Sequence, residues 1–548
     1  MDITVGSRVR IRVSGRRLKG FVTALLDAPP DRRLLPLDGL SGTIPGFDEI
    51  GLETLRWAAS HYVSPLSVIL KRTMPPNVAR GAVKPQREHG RKKPSFSVIV
   101  SGAGDHVAHV RAIVAASLGV RDSVMVIAPT IAEVERLAAD LATAPDVVVV
   151  TATSGTQAKS ATAAWVRAAT ESPAVLIGTR EIMLWPVQRL GTIVVVEDAR
   201  RVMKSPATPT LGVREVIVHR AGVEGADVTF LTPVPSLETL QLGAHVVETK
   251  GRNWPLVEVA DRREEPPSRS VLLDRTRTAI VANLKRGGTA FVLVPVRGYA
   301  PAFRCIKCGE MRRCIACAAA ITRRGECRRC GAVPEGCGHC GGERFEALGA
   351  GIGSVRDAIA RSVGNDVGVR DDDRAITVGS ERDIIGHPAV DLAVSVDIDG
   401  LAHAPNYRAA EDALRLHVRV AHLVRRGSGN RLLVQTAIPD QPVLAALRSG
   451  NPETFLTELL SVRRRSGFPP FGQLIALEVD TTIDARVEVA ETIGQVATVL
   501  GPAVLGDRVR WLIQGRDLGE ARIRLRHLVG SLRDRGARVR VDADPIDL

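Results

Sequence analysis

The sequence has few aromatic residues, no long apolar run and no cysteine outside one short stretch. Phe, Trp and Tyr make up 3% of the 548 residues, which is too few to predict a groove that binds bases by stacking. No uninterrupted apolar run approaches the roughly 18 residues that a membrane span needs. The start, MDITVGSRVRIRV, lacks the apolar core of a signal peptide. We therefore expect a cytoplasmic protein that does not associate with membranes.

Common hydrolase motifs are also missing. Neither HExxH nor GxSxG occurs, so the sequence predicts no metalloprotease or serine-hydrolase chemistry. The hydrophobic content of 45% and charged content of 24% exclude wholesale disorder. A chain of 548 residues can bury several cores, and we expect three or more domains.

Positive charge is concentrated in two stretches. The chain has 74 Lys+Arg and 60 Asp+Glu, a formal net charge of +14. Residues 1–95 hold 17 basic and 8 acidic residues, and residues 304–344 hold 9 and 4, so the remainder sums to zero. Two local basic surfaces favour contacts with a polyanion, most simply nucleic acid. The alternative is two solvated faces that keep the protein soluble.

The eight cysteines form four CxxC pairs within this second basic stretch: Cys305/Cys308, Cys314/Cys317, Cys327/Cys330 and Cys337/Cys340. Reduced thiols in a cytosolic chain make disulfides unlikely, and two CxxC pairs complete one four-cysteine zinc site. We predict two structural zinc ions per chain, in preference to an iron–sulfur cluster or a redox pair. His339 could replace a cysteine, but eight thiols make it a bystander. Spacing allows both nested and sequential pairing.

The N-terminal region reads as a small β-rich domain. The residues of RVRIRV alternate between basic and apolar, SGRRLKG reads as a turn, and FVTAL continues the strand pattern. This interpretation places Arg16, Arg17 and Lys19 on a loop. Residues 51–70 have helical spacing as far as Pro65. A cluster of Pro, Gly and basic residues at 75–94 then indicates a linker.

Alternating strands and helices follow from Phe96. SVIV, SVMVIAP, DVVVVTA, AVLIGT, TIVVVED and VTFLTP are apolar runs separated by helical stretches such as TIAEVERLAADLA. The pattern returns after the cysteines in RAITVGS, VDLAVSVDID and RLLVQTA. Such runs are typical of buried parallel strands, so we predict an α/β protein with two parallel-sheet lobes around a zinc module and a mixed α+β tail.

Ordered motifs carry a family resemblance. They are GSRVRIRVSGRRLKGFV, LRWAASHYVSPLSVILKRTMPP, IGTREIMLWPVQRLGTIVVVED, PVPSLETL, VRGYAP before the first CxxC, DIDGLAHAPNYRAAE, LLVQT, RRRSGFPPFG and the final VDADP. In this order the chain resembles the PriA family of bacterial primosomal replication-restart proteins, which are superfamily 2 DNA helicases. The glycine cluster at 349–354 then corresponds to a lobe-2 element and not to a dinucleotide site.

The resemblance implies a multidomain layout with a small β-rich N-terminal domain, two RecA-like lobes, an inserted double zinc module and an α+β C-terminal domain. The implied segments are a 3′-end DNA-binding domain at 1–78, a basic linker at 79–94, lobe 1 at 95–245, the start of lobe 2 at 246–303, the zinc module at 304–344, the rest of lobe 2 at 345–445 and a C-terminal domain at 446–548. The family's usual winged-helix domain is missing after Pro76. Family pairing is nested, which implies Cys305, Cys308, Cys337 and Cys340 on one zinc and Cys314, Cys317, Cys327 and Cys330 on the other.

The phosphate loop departs from the family. A helicase needs glycines, a Lys and a Ser/Thr there, roughly TGSGKT. Here Gly102 and Gly104 remain, but Asp105 and His106 stand in the places of the lysine and the hydroxyl residue. One charge pair 4 Å apart is worth about 4 kcal/mol at an effective dielectric constant of 20. Asp105 in place of the lysine removes an attraction to the triphosphate and adds a repulsion, so we do not expect tight ATP binding.

Two further motifs are altered. The family's DEEH reads Glu197-Asp198-Ala199-Arg200, and in the arginine-finger stretch Leu423 replaces the first arginine while Arg426 keeps its position. Three altered elements together predict a pseudo-helicase without catalytic residues.

We expect a restart protein that recognises abandoned or stalled forks and promotes reloading of the replicative helicase. Its expected partners are forked or single-stranded DNA, the replicative helicase, other primosome components and single-stranded-DNA-binding protein, and we expect it at the nucleoid. Arg16, Arg17 and Lys19 would contact phosphates. The alternatives are an active 3′–5′ helicase with an unorthodox nucleotide site, and a zinc-ribbon nucleic-acid-binding protein unrelated to forks.

Overall fold

A computed structural model describes most of the chain. The described residues are 3–547 except 28–35, 82–92, 103–105, 144–147, 249–253, 267–269, 295–301, 316–320, 322–324, 328–331, 349–351, 364–366, 370–373 and 405. They divide into two compact units, each of which is treated separately below. The first unit contains residues 1–248, 519–530 and 541–543, and the second contains residues 249–518, 531–540 and 544–548.

The N-terminal domain is a three-stranded antiparallel sheet followed by two helices. Its elements are β1 (Arg8–Val13), β2 (Arg16–Phe21), β3 (Leu37–Leu40), α1 (Glu49–His61) and α2 (Leu66–Lys71). The strand order is β2-β1-β3. Asp48 caps α1 by accepting a hydrogen bond from the Gly51 amide at 2.7 Å. The helix ends at His61, and a second helix begins after Pro65.

The prediction of a basic loop at 16–19 was wrong. The chain turns over only Ser14 and Gly15, whose φ angles of 49° and 77° suit a two-residue hairpin turn. Arg16, Arg17 and Lys19 therefore lie in β2, and the strand ends at Phe21 instead of covering FVTAL.

Lobe 1 is a seven-stranded, wholly parallel sheet with helices packed on it. Its strands follow the order β10-β4-β9-β8-β5-β7-β6. The elements are β4 (Phe96–Val100), α3 (His106–Gly119), β5 (Ser123–Ile127), α4 (Ile131–Leu141), β6 (Val149–Ala152), α5 (Ala158–Thr170), β7 (Val175–Gly178), β8 (Leu190–Val196), α6 (Val213–Glu224), β9 (Asp227–Thr232), α7 (Leu237–Gln241) and β10 (His245–Glu248). Val134, Leu137 and Leu141 of α4 are buried at helical spacing against the strands. The six apolar runs predicted as strands are all confirmed.

Lobe 2 is a six-stranded parallel sheet in the order β11-β18-β17-β12-β16-β15. Its elements, including the inserted hairpin of β13 and β14, are β11 (Leu256–Asp261), α8 (Asp274–Lys285), β12 (Ala290–Leu293), β13 (Ala302–Cys305), β14 (Phe345–Leu348), α9 (Ile352–Val363), β15 (Val367–Val369), β16 (Ile376–Gly379), β17 (Leu392–Ser395), α10 (Asp399–Ala402), α11 (Ala409–Ala421), β18 (Arg431–Thr436) and α12 (Pro442–Ser449). The predicted α/β architecture with two RecA-like parallel-sheet lobes is therefore confirmed.

The C-terminal region is α+β, as predicted. Its elements are α13 (Glu453–Ser466), β19 (Gln473–Asp480), α14 (Arg486–Ile493), β20 (Thr498–Leu505), β21 (Arg508–Gly515), α15 (Gly519–Asp534) and β22 (Val539–Ala543). β21 pairs antiparallel with both β19 and β20. Across the described part of the chain, no helix combines the length and the apolar character needed to span a bilayer.

Candidate functional site

Four thiols meet where the inserted hairpin enters and leaves lobe 2. β13 and β14 pair antiparallel, which sets Cys305 opposite Phe345. The Sγ atoms of Cys305, Cys308, Cys337 and Cys340 all lie within 4.8 Å of one another. Cys305 and Cys340 are separated by 3.6 Å, as are Cys308 and Cys337. Four Zn–S bonds of about 2.3 Å in a tetrahedron require S···S distances of about 3.8 Å, so this donor set fits a structural zinc ion.

Both CxxC turns have the same backbone geometry. The Cys305 amide donates to Glu310 O at 2.8 Å and Gly309 donates back to Cys305 O at 2.9 Å. In the second turn the equivalent bonds join Cys337 with residues 341 and 342, both at 2.9 Å. The glycine after each second cysteine has a positive φ, 79° at 309 and 67° at 341, which other residues rarely adopt.

Backbone amides donate hydrogen bonds to Cys305 and Cys337, and the pKa of both thiols is lowered. Burial raises the pKa of Cys305, but hydrogen bonds from the amides of Cys308 and Lys307 outweigh burial and lower it to about 7. The Glu310 amide lowers the pKa of Cys308, yet the neighbouring thiols raise it to about 12. Four thiolates this close repel one another unless a cation lies between them. Metal binding would therefore release protons and bring the set to its charged form.

The second predicted zinc site is only partly described. Cys314 and Cys327 are buried and pack with Ile321 in one small cluster. Cys317 and Cys330 lie outside the described residues. The second site therefore stays a prediction.

The basic residues of the N-terminal hairpin share one face. The register sets Arg10 opposite Lys19 and Arg12 opposite Arg17, so these four cations project on the same side of β1 and β2. All four are exposed. Arg10 donates to Leu40 O at 3.0 Å, and Arg12 pairs with Asp38 at 2.9 Å.

Arg16 points to the other face, beside Val13. The structure therefore separates Arg16 from Arg17 and Lys19, which the sequence interpretation had grouped. It adds Arg10 and Arg12, which were missed although the alternation of RVRIRV places every second residue on one face.

The residues predicted to form a degenerate nucleotide site lie, as far as they are described, at one edge of lobe 1. Gly102 follows β4, His106 begins α3, and Glu197 and Asp198 follow β8. Gly104 and Asp105 lie outside the described residues. The carboxyl edge of a parallel sheet is where ligands of such folds bind. Glu197 has a φ of 47°, a strained value for a side chain of this kind.

Buried arginines hold both acidic residues of this edge. The Asp198 carboxylate has no exposed surface, accepts a hydrogen bond from Arg214 Nη1 at 3.0 Å, and accepts another from the Ser236 hydroxyl at 2.9 Å. Arg200 stands 3.9 Å from the Glu197 carboxylate and donates to both carboxylate oxygens of Glu133, at 2.9 and 3.0 Å. Both acidic residues of the predicted nucleotide site thus have an arginine beside them.

The arginine-finger stretch of lobe 2 is mainly a packing element. Leu423 is buried at 9% exposure. Arg419 is buried and its Nη1 pairs with Glu381 at 2.8 Å. Arg426 is exposed.

Comparison with known proteins bears on these features. Residues 1–75 match the family model of the 3′ DNA-binding domain of PriA. The replication restart protein PriA of Rickettsia typhi is 23% identical over an alignment that covers 92% of this chain and 88% of the relative. The chain is thus similar to PriA over most of its length, at low sequence identity. Further PriA proteins match over a smaller share: that of Haemophilus influenzae is 26% identical over 56% of this chain and 47% of its own, and that of Bacillus subtilis is 24% identical over 62% and 49%.

Helicases are among the solved structures similar to this PriA relative. RecG bound to a three-way DNA junction has a TM-score of 0.38 and 12% identity, covering 69% of this chain and 44% of RecG. Yeast Dbp5 bound to RNA and ADP BeF3 has a TM-score of 0.38 and 9% identity, covering 68% of this chain and 90% of Dbp5.

Proposed function

We propose that this PriA relative is a replication-restart scaffold that binds abandoned forks and directs reloading of the replicative helicase without unwinding DNA itself. In this proposal residues 1–78 hold the nascent 3′ end, and Arg10, Arg12, Arg17 and Lys19 contact phosphates on one hairpin face. The zinc module at 304–344 would hold two zinc ions and present a partner surface. Single-stranded-DNA-binding protein and the replicative helicase are the proposed partners.

The pairing of Asp198 with Arg214 supports a scaffold in preference to a helicase. A carboxylate that holds magnesium must be free to face the ion and its water. Asp198 instead has no exposed surface and is paired with an arginine of the same lobe. Magnesium binding through the Asp198 oxygen that Arg214 holds would have to displace this internal cation, which would lower the binding energy for a triphosphate. The replacement of the phosphate-loop lysine by Asp105 acts in the same direction.

The first test is ATP turnover with forked DNA. The wild-type chain is compared with the variant Glu197→Gln/Asp198→Asn at saturating fork and magnesium concentrations. A scaffold shows the same background turnover for both and releases no strand from the fork. Fork-stimulated turnover that this variant abolishes would falsify the proposal.

The second test is end recognition. Affinity is measured at fixed salt for a fork whose nascent 3′ end reaches the junction and for one whose end stops short of it. We expect at least about tenfold tighter binding to the first fork, since the hairpin face would contact phosphates beside an end at the junction, whereas all other phosphate contacts are common to both forks. Arg17→Glu/Lys19→Glu should remove this preference. The charge-matched control Arg486→Glu/Arg538→Glu, at exposed C-terminal positions, should keep it.

One observation favours an active helicase as the second candidate. Glu197 keeps a strained backbone with a φ of 47° directly after β8, and such strain is retained most often at functional sites. The turnover experiment decides between the two candidates. Equal affinity for both forks and for duplex would instead favour a nucleic-acid-binding protein unrelated to forks.

A further inference from the structure

The outer surface of lobe 2 carries a basic groove between α8 and α9. Both helices pack on the same face of the sheet: Ala279 and Ile280 of α8 and Val355 and Ile359 of α9 are buried in one core with its strands. The residues of α8 on the side opposite this buried face are directed towards solvent. A cavity of about 420 Å³ lies there between the two helices.

Donor groups dominate the lining of this groove. The lining residues are Arg277, Thr278, Val281, Ala282, Lys285, Arg361 and Ser362. Three are cations and two are hydroxyl residues, and only Val281 and Ala282 form an apolar floor. Arginine and lysine offer donors and no acceptors, a combination that suits phosphate oxygens.

Internal ion pairs neutralise the groove only in part. Arg277 pairs with Asp274 at 2.8 Å, but both side chains are more than half exposed, so water and salt screen the pair. Arg361 donates to the backbone carbonyl of Asp357 at 3.2 Å. Lys285 is exposed at the end of α8. The groove therefore keeps a local positive potential.

We propose that this groove binds the sugar–phosphate backbone of single-stranded DNA. The groove follows two packed helices, so a flexible single strand can lie along it, whereas a stiff duplex can only rest on its rim. With few aromatic residues in the chain and none in this lining, the binding reads backbone charge and not base identity. The inference rests on the proposed binding of forks: one single-stranded arm of the fork would lie along lobe 2.

Salt dependence tests the groove quantitatively. Each phosphate contact on a single strand contributes about 0.7 to the slope of log K against log[salt]. The variant Arg277→Glu/Lys285→Glu/Arg361→Glu is measured with an oligothymidine strand and with forks that have one single-stranded arm or two duplex arms. For the single strand, we expect the magnitude of the slope of log K against log[salt] to fall by about 2. The loss of affinity caused by the substitutions should therefore be about 100-fold larger at 0.1 M salt than at 1 M salt. Affinity for the fork with duplex arms should change less than threefold.

The charge-matched control is Arg356→Glu/Arg382→Glu/Arg448→Glu, three exposed residues of the same unit that do not line the groove. It should leave the slope for the strand within about 0.5 of wild type. Equal losses in both triple variants, or an unchanged slope in the groove variant, would overturn the inference. If the wild-type chain shows no preference for the fork whose 3′ end reaches the junction, the proposed function is refuted. The oligothymidine measurement still decides whether the groove binds a single strand.

Discussion

Replacing Arg214 by methionine tests whether the ion pair between Arg214 and Asp198 in lobe 1 is structural. The substitution removes the guanidinium and keeps an unbranched apolar side chain. Asp198 would then remain with no exposed surface and with Ser236 as the donor described for it. Removing one partner of a buried ion pair costs about 3–5 kcal/mol, because the other charge stays buried. Since a tenfold change corresponds to about 1.4 kcal/mol, lobe 1 should open at least about a hundred times more often.

Hydrogen exchange of the β8 amides measures this opening directly. Exchange at residues 194–196 should accelerate at least about a hundredfold in Arg214→Met. Adding Asp198→Asn should restore part of the protection, because the fully buried charge disappears while Glu215 and Glu238 still lose their ion pairs with Arg214. Arg167→Met removes an exposed pair with Glu171 and should change exchange little. Unchanged β8 exchange in Arg214→Met, together with loss of a measurable ATP turnover, would refute the structural role and assign the pair to catalysis.

Three further predictions concern the thiolate site and lobe 2. Cys308→Ser should reduce bound zinc by one ion per chain in metal analysis, and an unchanged zinc content would exclude the assigned ligand set. Gly342→Ala places a Cβ 3.0 Å from Cys305 Sγ, so zinc release to a chelator should accelerate several-fold, whereas an unchanged rate would mean that the turn relaxes. Burial lowers the pKa of His417 to about 4 and raises that of Asp397 to about 6. Acidification from pH 6.5 to 4 therefore destabilises the fold through His417 and stabilises it through Asp397. In Asp397→Asn only the destabilising contribution of His417 remains. The free energy of unfolding of lobe 2 should therefore fall more steeply as the pH falls, by up to about 1.4 kcal/mol per pH unit.

The two sheets were predictable from the sequence because parallel strands buried on both faces read as continuous apolar runs. The short edge strand β10 was not recognised, since HVVE is brief and partly polar. The basic hairpin was misassigned because its turn takes only two residues and its second strand is mostly charged. Strand alternation alone would have identified Arg10 and Arg12.

The CxxC spacing alone predicted that the cysteines bind zinc, but it did not predict which two CxxC pairs share one ion. CxxC spacing indicates zinc, whereas the choice between nested and sequential pairs depends on which strands enclose the module. The pairs of Arg200 with Glu133 and of Arg214 with Asp198 were beyond prediction. Their partners are 67 and 16 residues apart, and no local pattern in the sequence links them.

The register of the N-terminal hairpin links its folding to its ligand. Arg10 faces Lys19 and Arg12 faces Arg17, and like charges directly opposite each other weaken a strand pair. Asp38 offsets one of these four charges. A polyanion laid on this face would relieve the remaining repulsion, so DNA bound as proposed would stabilise the hairpin relative to its free form. Added salt should then stabilise the free hairpin while it loosens the complex, and the two responses have one electrostatic origin.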